Sequence, residues 1–111
     1  MPHDKNLAER IRAVLKNHPG WVEKKMFGGV GFILHGNLAC GVQGNGLIVR
    51  VGPEKDQSAL AQPFVRSFEG VPGRPMAGWV VVEPQGIPDD RVLHEWVEMG
   101  YTFASSLPAK G

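Results

Sequence analysis

The stretch from Lys25 to Val51, KMFGGVGFILHGNLACGVQGNGLIVRV, constrains the fold more than any other part of the chain. Short apolar runs (Val30 to Leu34, Leu38 to Val42, Leu47 to Val51) are separated by Gly36-Asn37 and Asn45-Gly46, the dipeptides that best accommodate the positive backbone angles of two-residue hairpin turns. The spacing predicts an antiparallel meander. A turn at Gly36-Asn37 pairs His35 with Leu38, Ile33 with Cys40 and Gly31 with Val42, and paired residues share a face. The next turn, centred on either Asn45-Gly46 or Gly44-Asn45, adds Leu47, Val49 and Val51 to that face. The expected core face is therefore Ile33, Leu38, Cys40, Val42, Leu47, Val49 and Val51. Val30, Phe32, Leu34, Ala39, Gly41, Gln43, Ile48 and Arg50 fall on the other face, which is too apolar to meet water unaided. A tight hairpin at Gly28-Gly29 adds Lys25 and Phe27 to this second face.

The flanks supply helices. Asp4 is an expected N-cap, and Leu7, Ile11, Val14 and Leu15 recur at helical spacing up to about Asn17, where His18-Pro19-Gly20 stops the pattern. Trp21 to Met26 reads as a first extended segment. Gly52-Pro53 ends the meander, and a short helix is expected over Asp56 to Ala61. Phe64 to Met76, with its VPGRPM sequence, reads as a loop, followed by a strand from Trp79 to Val82. After Pro88-Asp89-Asp90, the positions Leu93, Trp96, Val97, Gly100, Phe103 and Ala104 keep a helical period to Leu107-Pro108.

A chain of 111 residues is expected to form one domain over 1–111 with one core. Its 12 Lys and Arg against 11 Asp and Glu give a net charge of +1, without the basic excess of a dedicated nucleic-acid binder. Direct nucleic-acid binding is not expected. Cys40 is the one cysteine, the first residues lack a charged-then-apolar signal pattern, and no apolar run reaches the ~20 residues of a membrane span. The expected setting is cytoplasmic, with no membrane partner.

Chemistry is sparse. Gly28-Gly29-Val30-Gly31 lacks the G-x-x-x-x-G-K-[ST] phosphate loop and reads as a turn or bulge. Cys40 falls between Leu38 and Val42 on the apolar face, which makes it a core cysteine, not a nucleophile. His3, His18, His35 and His94 sit on separate elements without metal-ligand spacing. No catalytic residue, metal ligand or cofactor is expected, and enzymatic activity is not assigned. Trp21, Trp79 and Trp96 are dispersed and read as packing residues. Arg50 is the least expected residue of its strand. It either pairs with an internal carboxylate such as Glu69 or Glu83, or joins Arg74 in holding an external carboxylate or phosphate.

Taken in order, KMFGGVGF, N-LACGV, GLIVRV, GRPMAGWV and the final W-V-x-x-G-x-x-F-A-x-S-L-P-x-K resemble the TfoX N-terminal domain family, a likeness running from Met26 to Lys110. The family includes bacterial competence regulators of the TfoX/Sxy type and short stand-alone proteins. The resemblance implies an α+β fold in two layers, an antiparallel sheet of about five strands with an N-terminal and a C-terminal helix packed on it, similar to secretion chaperones. Competence regulators of this type carry a second, C-terminal domain, and the expectation for this chain is the N-domain alone. The family motif brings Lys25, Arg50, Arg74 and Trp79 as matched positions without assigned chemistry. The leading expectation is a regulatory or adaptor module that binds protein, with Phe32 at the centre of a homodimer. The alternative is a small-anion-binding domain or minor enzyme using Lys25, Arg50 and Arg74.

Overall fold

The structure, a computed structural model, describes residues 5–26, 29–71 and 73–108, together with the side chains of these residues except 70, 71, 74 and 75. The expected cap Asp4, the positions Phe27 and Gly28 and the end of the family motif at Lys110 lie outside the described residues. Helix α1 (Lys5–Leu15) is followed by strands β1 (Trp21–Met26), β2 (Gly29–Leu34), β3 (Asn37–Gln43) and β4 (Gly46–Arg50), the short helix α2 (Asp56–Leu60), strands β5 (Val65–Val71) and β6 (Arg74–Val82), and helix α3 (Asp90–Ser105). Among the described residues the strands form one antiparallel sheet in the order β1-β2-β3-β4-β6-β5.

This is the α+β, two-layer arrangement expected, with six strands rather than about five. The additional strand comes from the segment read as a loop. Val65 to Val71 pairs with β6, which begins at Arg74, five residues ahead of Trp79. Val65, Phe68 and Val71 suit a pleated surface, while Pro and Gly at 72 and 73 dominate the composition of that stretch and mask the signal. Register shifts on both sides of Glu69 make this hairpin irregular.

The helices share one side. Leu7, Ala8, Ile11 and Leu15 of α1, Ala59 of α2 and Leu93, Trp96 and Val97 of α3 form one buried cluster with Val30, Phe32, Cys40, Val42, Leu47, Val49, Val80 and Val82 of the sheet. Asp89 caps α3 by accepting a hydrogen bond from the Val92 N–H at 3.0 Å. Gly100 lets α3 close on the sheet, because a Cβ there would lie 2.3 Å from the Ala39 carbonyl oxygen. Arg10 to Asp90 at 3.0 Å and the Tyr101 hydroxyl donating to the Pro19 carbonyl at 2.8 Å tie α1 and its exit loop to α3.

Parity holds in one hairpin and fails in the other. Cys40 faces Val49 and Val42 faces Leu47 around a Gly44-Asn45 turn, so Cys40, Val42, Leu47, Val49 and Val51 are core residues as expected. In the preceding hairpin the turn residues are His35 and Gly36, at φ of 51° and 85°, and Leu34 pairs with Asn37. That one-residue displacement preserves parity. A bulge then leaves Ala39 without a partner: Ile33 pairs with Leu38, but Phe32 pairs with Cys40. Val30 and Phe32 therefore belong to the helix-covered face, at 2% and 0% exposure, and Lys25 comes with its partner Val30. Leu34 and Ala39 are buried with Ala104 of α3. Ile33 and Leu38, expected in the core, lie half-buried on the opposite face.

Candidate functional site

With the described helices on one side, the other sheet face is open in part. Val22 of β1 pairs with Ile33, Ile33 pairs with Leu38, and the side chains of Met26 and Leu38 both lie over Gly31. These four side chains form an apolar ridge across β1, β2 and β3, with the exposed Lys24 between Val22 and Met26 on the same face. Val22 is 56% exposed, and Met26, Ile33 and Leu38 are half-buried. Farther across the same face, Ile48, Val81 and Phe68 form a small buried cluster with Trp79 packed against it.

Arg50 stands beside that cluster, at the end of β4 and opposite Trp79 of β6. Its guanidinium carbon lies 4.8 Å from the centre of the Trp79 ring and 5.4 Å from that of Phe103 in α3. Contacts of this kind contribute about 0.5–2 kcal/mol each, the more so where water is excluded. Gly52 makes room for Phe103: it has a φ of 88°, and a Cβ there would fall 2.5 Å from the ring. The strand end is held from both sides, since the Val51 and Gly52 N–H groups donate to the Gly78 carbonyl at 2.8 and 3.1 Å. Gly78 in turn donates its own N–H to Asp56 at 2.9 Å. Beside Phe103 opens a cavity of about 350 Å³, lined by Val51, Gly52, Pro53, Glu54, Lys55 and Ser106 as well.

Neither carboxylate expected for Arg50 reaches it. Glu83 binds Arg66 at 2.7 Å, and Glu69 accepts the Gly73 N–H at 3.0 Å. Among the described residues Arg50 has ring contacts and no ion pair, and burial pulls its guanidinium below its ordinary pKa.

The remaining sequence candidates are dispersed. Lys25 is exposed, and the ladder Lys25, Val30, Val42, Leu47 puts it on the helix side of the sheet, opposite in face to Arg50, three strands or about 14 Å across the sheet from it and about 10 Å along the strand. Arg74 begins β6 five residues before Trp79, about 16 Å along an extended strand, and its side chain lies outside the described part. Trp79 is half-buried beside Arg50, whereas Phe32 is fully buried under the helices and presents no surface to a partner. Cys40 is buried, its thiol pushed up to about 12 by loss of solvent. His18 and His94, on separate elements without metal-ligand spacing, both approach Glu98, the latter at 3.7 Å.

One ring partner of Arg50 escaped the sequence: Phe103 reads as one more member of the stripe on α3, and nothing local connects it to a residue on β4.

An antiparallel sheet with the described helices on one side and a half-open apolar face on the other defines a two-layer α+β domain. The chain belongs to the TfoX N-terminal domain family, whose model matches residues 13–104. No curated protein and no solved structure matches it.

Proposed function

We propose that this protein is a non-enzymatic regulatory or adaptor domain that binds protein, in the first place a second copy of itself, through the open sheet face. The supporting observation is the patch of Val22, Met26, Ile33 and Leu38, apolar side chains on three adjacent strands with none of the described helices over them. A two-fold axis through such a patch brings the same side chains together from both copies. The link to competence or transcriptional control comes from the family to which the chain belongs. Nearly balanced charge favours a protein partner over nucleic acid as the immediate target. The small-anion reading with Lys25, Arg50 and Arg74 acting together loses support, because Lys25 is on the other face, and retains only Arg50.

Sedimentation of the parent beside Ile33→Asp tests the reading. The parent is expected to be a dimer at tens of micromolar, and the variant a folded monomer, since a charge on the ridge disrupts an interface more than the fold. A monomeric parent, or a folded variant that remains dimeric, overturns it.

A further inference from the structure

We propose that Arg50 anchors a binding site for a small organic acid, whose carboxylate meets the guanidinium beside Trp79 and Phe103 and whose apolar part occupies the neighbouring cavity. The first support is a charge without its counterpart. Among the described residues Arg50 forms no hydrogen bond or ion pair, so its five N–H donors are unclaimed. Three carboxylates of the surrounding elements are engaged elsewhere, Asp56 with the Gly78 N–H at 2.9 Å, Glu83 with Arg66 at 2.7 Å and Glu69 with the Gly73 N–H at 3.0 Å, and Glu54, in the wall of the adjoining cavity, forms no ion pair with Arg50. A half-buried cation loses hydration, and an anion arriving from outside restores what water no longer supplies.

The second support is order. Hydrogen bonds from Val51 and Gly52 to Gly78 fix the strand end, and the two rings hold the guanidinium in place. A receptor already held in position loses little freedom on binding, and the planar guanidinium fork matches a carboxylate with two parallel hydrogen bonds.

The third support is the adjoining space. The cavity of about 350 Å³ shares the Phe103 ring with Arg50 and has Val51, Gly52 and Pro53 in its wall beside the polar Glu54, Lys55 and Ser106, a volume within the range of small-molecule sites. The Phe103 ring and Pro53 offer a place to an aryl or alkyl body, which inorganic phosphate lacks. The site does not use the ridge of Val22, Met26, Ile33 and Leu38, so it stands or falls separately from self-association.

The test follows the Trp79 indole N–H and the Arg50 Nε–H by nitrogen-15 NMR while the protein is titrated with 3-phenylpropionate, 3-phenylpropionamide and acetate. Saturable shifts are expected with 3-phenylpropionate. The amide should bind about tenfold more weakly or worse, because it cannot make charge-assisted bonds, and acetate should also be weaker because it buries no ring. Arg50→Gln should abolish the preference for acid over amide. Absence of shifts with millimolar acid, equal binding of acid and amide, or an unchanged preference in folded R50Q overturns the proposal. Equal binding of acetate and 3-phenylpropionate overturns the role of the cavity. If R50Q does not fold, the comparison of acid with amide on the parent still decides.

Discussion

Phe32 and Ile33 are neighbours in sequence, and the bulge at Ala39 determines which of them enters the core. The same substitution at both positions therefore measures the bulge. Phe32 is 0% exposed in the cluster shared with α1 and α3, and its ring lies 5.8 Å from that of Trp21. Loss of the ring alone costs about 3–5 kcal/mol, and an unpaired carboxylate in its place adds several more. Against a total of about 5–15 kcal/mol for a typical domain, Phe32→Asp is expected to leave little or no folded protein. Ile33 sits half-buried on the open face, where an added carboxylate stays hydrated, so Ile33→Asp should cost the monomer about 1 kcal/mol or less. Urea unfolding followed by tryptophan fluorescence gives both values, with sedimentation run beside it so that loss of a dimer is not counted as loss of fold. A regular hairpin without the bulge predicts the reverse order. If Ile33→Asp unfolds the chain while Phe32→Asp melts with the parent, the face assignment is wrong.

Three further outcomes are expected. The Cys40 thiol, pushed up to about 12 from 9.0 by burial, should resist thiol reagents at neutral pH in the native state and react on unfolding; rapid native labelling would contradict its position. Because its folded pKa is raised, its contribution is fully present below pH 9.0 and is lost as the pH climbs toward about 12, so stability should fall there by about 1.4 kcal/mol per pH unit from this group, a slope that Cys40→Ala removes. Trp96→Ala should cost about 3–5 kcal/mol by urea titration, given its 5% exposure between α3 and the sheet, and a variant with the parent's midpoint would mean that α3 does not dock through that ring. Gly100→Ala should cost about 1–3 kcal/mol, since the new methyl collides with the rigid Ala39 backbone, and a neutral result would show that α3 sits farther from β3.

What the sequence reveals follows the length scale of the signal. Helical periods in α1 and α3 and the turn between β3 and β4 are local patterns, and each appears where expected. The bulge falls at Ala39, where no turn residue marks it, and its effect is to reverse the apparent faces of Phe32 and Ile33. The strand β5 is obscured because its hairpin partner starts within a Pro-Gly-Arg stretch whose composition suggests a loop. At the candidate site the sequence singles out Arg50 as an anomaly and pairs it with carboxylates, because charge pairing is the commonest way to settle a buried cation. The two rings that surround it come from β6 and α3, and an aromatic in an amphipathic stripe carries no mark of a second task.

The seam between α1 and α3 also has a kinetic consequence. Successive strands from β1 to β4 pair with their neighbours in the chain, whereas Arg10 reaches Asp90 across 80 residues and Tyr101 reaches Pro19 across 82. Closing a longer loop costs about 0.6 kcal/mol more for each doubling of its length, and contacts so distant give nothing back until the ends meet. The meander is accordingly expected to form while both helices are still loosely held, with α3 docking last and sealing the Phe32 layer beneath it. In a mutational scan of folding rates, substitutions around Val42 and Leu47 should slow folding, whereas those at Arg10, Trp96 and Tyr101 should chiefly hasten unfolding.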